Sequence, residues 1–148
     1  MREFDSYGHF GFGSEQVKEA FATAGEAALR LGDLEKLAEL VGFVDSLSPG
    51  STNHFLRAHS SRFRAYLAQD ADLAEADRLF RRSAGLLREL STPFMLAVVQ
   101  AEHAELILQG GAEGDARELV TEAREVFERL SAKPWLDRLD ALSTGVAA

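Results

Sequence analysis

Leu90-Ser91-Thr92-Pro93 reads LSTP, and the chain holds two near echoes of it, LSP at Leu47-Ser48-Pro49 and LSAKP from Leu130 to Pro134. Together these sites contain all 3 prolines of the 148 residues. Proline cannot continue a helix and biases the residue before it away from helical backbone, so each site reads as a stop. From Ser14 onward apolar residues recur at helical spacing, with little period-two alternation and many Ala, Leu, Glu and Arg residues. The chain is expected to be all-α.

Working outward from the stops, Ser14 is placed to cap a first helix carrying Val17, Phe21, Ala24, Ala28 and Leu31, and Gly32 to end it. A second helix starts at Asp33, presents Leu37, Leu40, Val41, Val44 and Leu47, and meets Pro49. After the turn Ser51-Thr52-Asn53, a third runs to about Ala68 with Phe55, Leu56, Phe63, Tyr66 and Leu67 on one side. Residues 69–72 break it, with Asp70 and Asp72 suited to capping the next helix. The fourth helix carries Leu73, Ala76, Phe80, Ser83, Leu87 and Leu90 and ends in LSTP. A fifth spans Pro93 to about Gln109, with Pro93 in its first turn, and Gly110, Gly111 and Gly114 mark the next break. The sixth runs from Asp115 to Leu130, and a short seventh from Trp135 to about Leu142.

A shift of 40 residues superposes Leu79 on Leu119, Phe80 on Val120, Leu87 on Phe127, Leu90 on Leu130 and Ser91 on Ser131. A shift of 43 places Leu37 on Phe80, Phe43 on Leu86, Val44 on Leu87 and Leu47 on Leu90. Self-similarity at this period is the mark of an α-solenoid, whose units bury their apolar faces only by stacking. The expected architecture is three antiparallel helix hairpins, about 14–48, 51–91 and 93–131, plus a C-terminal capping helix at 134–143. Each proline closes one unit and opens the next. Residues 1–13, outside the repeat, read as a flexible Gly/aromatic arm before a helical domain over 14–148.

Composition narrows the function. With no cysteine there is no thiolate metal cluster, disulfide or thiol nucleophile. No apolar run approaches the roughly 20 residues that span a bilayer, and MREFDSYGHF lacks a signal-peptide core, so a cytoplasmic, non-membrane protein is expected. A formal charge of −8 repels nucleic acid. The charge is uneven: residues 1–48 hold 4 basic and 9 acidic side chains, 49–91 hold 7 and 5, and 92–148 hold 5 and 10. A basic middle lies between acidic ends.

The small-x₃-aromatic pairs Ala76/Phe80 and Ala123/Phe127, each in a second helix with a proline after it, resemble tetratricopeptide repeats. These units exceed that family's usual length of about 34 residues. The run RAHSSRFRAYLAQDADLAEADRLFRRSAGLLRELSTPF, with EHAELIL and EAREVFERLSAKPWLDRLDAL, is similar to the C-terminal helical region of MalT-like (STAND-class) ATPase regulators and ATPase-coupled adenylate or guanylate cyclases. The resemblance covers about residues 15–142 and implies a sensor or scaffold arm of a bacterial signalling or transcription-regulatory system. Such an arm binds a protein, a peptide or a small effector. No GxxxxGK[ST] phosphate loop, cyclase segment or DNA-reading helix-turn-helix occurs, so the engines of that family are not carried over.

The candidate partner surface is the stripe Arg57, Ser61 and Arg64, one above another on the third helix opposite its apolar side. In tetratricopeptide arrays first helices line the groove, which would direct this stripe to a bound peptide, arginine being suited to carboxylates; a solvated face is the simpler account. Tyr7, Phe10 and Phe12 form a candidate docking arm that would cover an apolar end of the stack, in cis or in a second subunit. His59 and His103 fall among apolar neighbours and read as packing histidines. Neither a metal-ligand spacing such as HExxH nor a catalytic triad context occurs, so no enzyme, metal or cofactor is expected. A self-associating structural module, a homodimer, stands as the alternative to a binding scaffold.

Overall fold

The computed structural model describes residues 15–47 and 53–147, with side chains described over 17–47 and 53–142. The arm with Tyr7, Phe10 and Phe12, the cap assigned to Ser14, and Ser48-Pro49-Gly50 lie outside the described residues. Within them the chain is all-helical: α1 (Glu15–Leu31), α2 (Leu34–Ser46), α3 (His54–Ala68), α4 (Leu73–Glu89), α5 (Pro93–Gln109), α6 (Glu113–Arg129) and α7 (Lys133–Ala147). None of these helices is long and apolar enough to cross a membrane.

Short polar side chains start three of the helices. Asp33, Asn53 and Asp72 accept from the backbone N–H of Lys36, Leu56 and Glu75 at 3.0, 2.9 and 3.0 Å, satisfying donors that the first turn leaves free. Two boundaries differ from the sequence reading. α6 begins at Glu113, so Gly114 lies inside its first turn. α7 begins at Lys133 and continues beyond Leu142 to Ala147, longer than a short cap.

The ends of α1, α4, α5 and α6 share one geometry. Gly32, Ser91, Gly111 and Ser131 all have positive φ, at 67, 54, 83 and 54°. The N–H of the residue after each reaches back to the carbonyl five positions earlier: Asp33 to Ala28, Thr92 to Leu87, Ala112 to Ile107 and Ala132 to Phe127, at 2.9, 3.3, 3.2 and 2.8 Å. This Schellman-type closure satisfies the last carbonyls and lets the next helix start within three residues. In LSTP and LSAKP the reversal is made by the serine, and proline then fixes the start of the following helix.

The α3–α4 hairpin is antiparallel, as its side-chain bonds demonstrate. Ser61 on α3 donates to the Leu79 carbonyl on α4, and Ser83 on α4 donates to the Ala58 carbonyl on α3, at 2.8 and 2.7 Å. Moving forward along one helix moves backward along the other.

Three apolar clusters run along the molecule. The first joins Phe21, Leu37, Leu40, Leu56 and Phe63 from α1, α2 and α3. The second joins Ala58, Ala65, Phe80, Leu87 and Val99 from α3, α4 and α5. The third joins Val98, Ala101, Ala123, Phe127 and Leu139 from α5, α6 and α7. α3 and α5 each contribute to two clusters, which is why α5 is buried at almost every position from Ala97 to Leu106. Each hairpin thus completes its core with the first helix of the next.

Candidate functional site: a charged groove along the first helices

α1, α3, α5 and α7 together line a groove of about 550 Å³ whose wall includes Glu26, Arg62, Glu102 and Arg138. Each comes from a different helix. Arg62 follows Glu26 by 36 residues and Glu102 follows Arg62 by 40. Along the groove, Glu26, Arg62, Glu102 and Arg138 therefore alternate in the sign of their charge.

Arg62 is the centre of this ladder. Its Nε and Nη2 donate to the two oxygens of Glu102 at 2.6 and 3.1 Å, while Nη1 donates to Glu26 Oε1. Tyr66, one turn along α3, donates its hydroxyl to Glu102 Oε2. Arg62 is 1% exposed and Glu102 3%, an arrangement tolerable only because the fork is answered atom by atom. Burial works against the Arg62 charge, yet Glu102 and Glu26 hold its pKa above the ordinary value. Burial pushes the Glu102 carboxyl up, and Arg62 opposes that.

At the α7 end, Arg138 donates through Nη2 to Glu105 at 2.8 Å and lies over the Trp135 ring at 4.8 Å, a cation–π contact. Trp135 in turn stacks on Phe127, with centroids 5.4 Å apart. Tyr66, Trp135, Leu29 and Pro134 give the groove apolar surface between the charges, and exposed Arg30 stands at its edge. The arrangement suits an amphipathic occupant laid across several helices.

The stripe Arg57, Ser61 and Arg64 is brought together elsewhere. All three line a smaller cleft with Arg78 and Arg82, on the side of α3 that meets α2 and α4. At 3.6 residues per turn this side lies opposite Arg62, Tyr66 and Gln69, so the expectation that the stripe points into the groove of first helices is corrected here. Ser61 is buried and spends its hydroxyl on Leu79 O, and Arg64 pairs with Asp45. A serine opposite an apolar face is small enough to let two helices approach, and its polar atom needs only one carbonyl.

His59 and His103 are both buried packing residues. His103 Nε2 lies 2.6 Å from Asp77 and its ring stacks on Phe80. Burial lowers its pKa although Asp77 works the other way. His59 lies against Phe55 and Phe63, and its Nδ1 has no hydrogen-bond partner among the described residues. Among the described residues no three His, Asp or Glu side chains gather as metal ligands.

Apolar spacing assigns Tyr66 to the core and Glu102 to a polar side of α5, and it gives no role to Arg62. A signal is nonetheless present: Arg62 and Glu102 are opposite charges 40 residues apart, the shift at which the sequence superposes on itself. No protein-family profile matches the chain, and no curated protein matches it.

Proposed function

We propose that this chain is a non-catalytic binding module: a TPR-like α-solenoid of three helix hairpins and a capping helix whose first-helix groove receives a protein or peptide segment. The solenoid reading is supported by the three shared apolar clusters, and by the pairs Ala76/Ala116, Ser83/Ala123 and Leu87/Phe127, each 40 residues apart and buried in both α4 and α6. The observation that carries the binding reading is the groove itself. Its 550 Å³ falls within the roughly 300–1,000 Å³ of ligand pockets, and it combines aromatic and apolar surface with converging charges. The buried ladder fixes the floor, leaving half-buried Glu26 and exposed Arg30 to meet an occupant. The resemblance to arms of bacterial signalling regulators and cyclases suggests that such binding controls a larger assembly in the cytoplasm.

A photo-crosslinking residue at Gln69, in the groove, compared with one at Glu125, exposed on α6, tests this in cell extract. Adducts with another protein confined to position 69 are expected. Adducts joining two copies of the chain would instead establish the self-associating module. Equal labelling at both positions, or none at either, overturns the groove as a binding site.

A further inference from the structure

On the other side of α3, a cleft of about 220 Å³ is lined by Arg57, Arg64, Arg78 and Arg82, with Asp45 and Ser60 also in its wall. Arg57 and Arg64 come from α3, and Arg78 and Arg82 from α4 at i, i+4 on one face. Four guanidiniums around one hollow run against a chain of net charge −8. Asp45 pairs with Arg64, and Glu75 holds Arg78 through two bonds of 2.7 Å. Arg82 is exposed and has no carboxylate partner among the described residues.

One guanidinium fork satisfies one carboxylate, so this cluster exceeds what a single carboxylate engages. A phosphoryl group has three acceptor oxygens and close to two negative charges, and it can be held from two walls at once. At roughly 30 Å³ per water, the cleft has the room of about seven waters, enough for one such group and part of its hydration. We propose that this cleft is a second binding site, independent of the groove, that takes a phosphoryl dianion. Arg82 and Arg78 hold it from α4 and Arg64 from α3, where Asp45 competes with it for that guanidinium.

Calorimetric titration of the full chain at fixed ionic strength tests this with three probes: a neutral peptide carrying one phosphoserine, the same peptide with glutamate there, and inorganic phosphate. The phosphoserine peptide is expected to bind at least about tenfold more tightly than the glutamate peptide. Arg82→Gln, on an exposed side chain, is expected to weaken it about tenfold or more. Asp45→Asn is expected to tighten it, and Arg117→Gln on exposed α6 surface to leave it unchanged. Inorganic phosphate binding as tightly as the peptide identifies a free phosphoryl compound as the source, and much weaker binding identifies a phosphorylated protein. Equal binding of the two peptides, no binding of any probe, or an Arg82→Gln variant indistinguishable from the parent overturns the proposal.

Discussion

Arg62 on α3 and Glu102 on α5 are joined by two hydrogen bonds across neighbouring first helices, and both are buried. A buried pair of this kind adds little over apolar side chains of equal volume, but removing one partner strands the other. Arg62→Ala is therefore expected to lose about 3–5 kcal/mol in urea unfolding. The double variant Arg62→Met/Glu102→Leu should recover most of that loss. A single variant costing less than about 1 kcal/mol would mean that the guanidinium is not enclosed as described.

His59 gives stability a pH dependence. Burial, then the nearby Arg62 charge, lowers its pKa from 6.5 to about 4, with Glu26 opposing. The folded chain thus keeps His59 neutral in a window where the unfolded chain protonates it. Between about pH 4 and 6.5 the unfolded state binds more protons, so stability rises with pH across that range and falls on acidification. At about 1.4 kcal/mol per unit, the full effect is on the order of 3 kcal/mol. His59→Phe, beside Phe55 and Phe63, should flatten part of this slope in denaturant titrations, leaving the share of His103, which burial also lowers. An unchanged slope would dismiss His59 as its source.

Gly25 is where α1 meets α3. A Cβ built there falls well inside contact distance of the Phe63 ring, whereas at Gly42 and Gly85 it meets nothing within 4 Å. All three glycines lie within helices, where alanine is favoured by roughly 0.5–1 kcal/mol. Gly42→Ala and Gly85→Ala should accordingly melt a little higher than the parent. Gly25→Ala should melt lower, because displacing the Phe63 ring costs about 1–3 kcal/mol and outweighs the propensity gain. Stabilisation by all three would remove the close approach of α1 to α3.

The hairpins can be read from the chain because apolar spacing and stops are local signals. Phe80, Phe127 and Leu87 reach the core from the faces that their spacing selects. The charge ladder is not legible in the same way. Periodicity sorts residues by polarity, and it assigns Glu102 to the narrow polar side of α5 without showing that Arg62 makes its burial tolerable. Ser61 misleads in the complementary sense, its hydroxyl being satisfied by a carbonyl 18 residues away. Long-range pairing decides both cases, and a helical wheel carries no information about it.

Ser91 and Ser131 occupy left-handed backbone at φ 54°, where glycine carries no Cβ penalty. Gly32 and Gly111 already fill the equivalent turns. Ser91→Gly and Ser131→Gly are each expected to stabilise by about 0.5–1 kcal/mol, the relief of strain exceeding the added freedom of the unfolded chain. Ser91→Val should destabilise, because a β-branched side chain tolerates this conformation least. Melting temperatures that fall for both glycine variants would show that the serines contribute more than a backbone reversal.

Trp135 packs α7 onto α6. Its ring lies on Phe127, and Leu139 in the next turn is fully buried in the third cluster. These contacts are all made within one chain, so they owe nothing to a second copy. Tryptophan emission should therefore be blue-shifted and should not change on dilution into the nanomolar range, whatever other surfaces do. Phe127→Ala should remove the stacking partner, shift the emission to the red and cost about 3–5 kcal/mol as an unfilled core site. A red shift of the parent protein on dilution would instead mean that the stripe Trp135, Leu136 and Leu139 is sealed by another subunit.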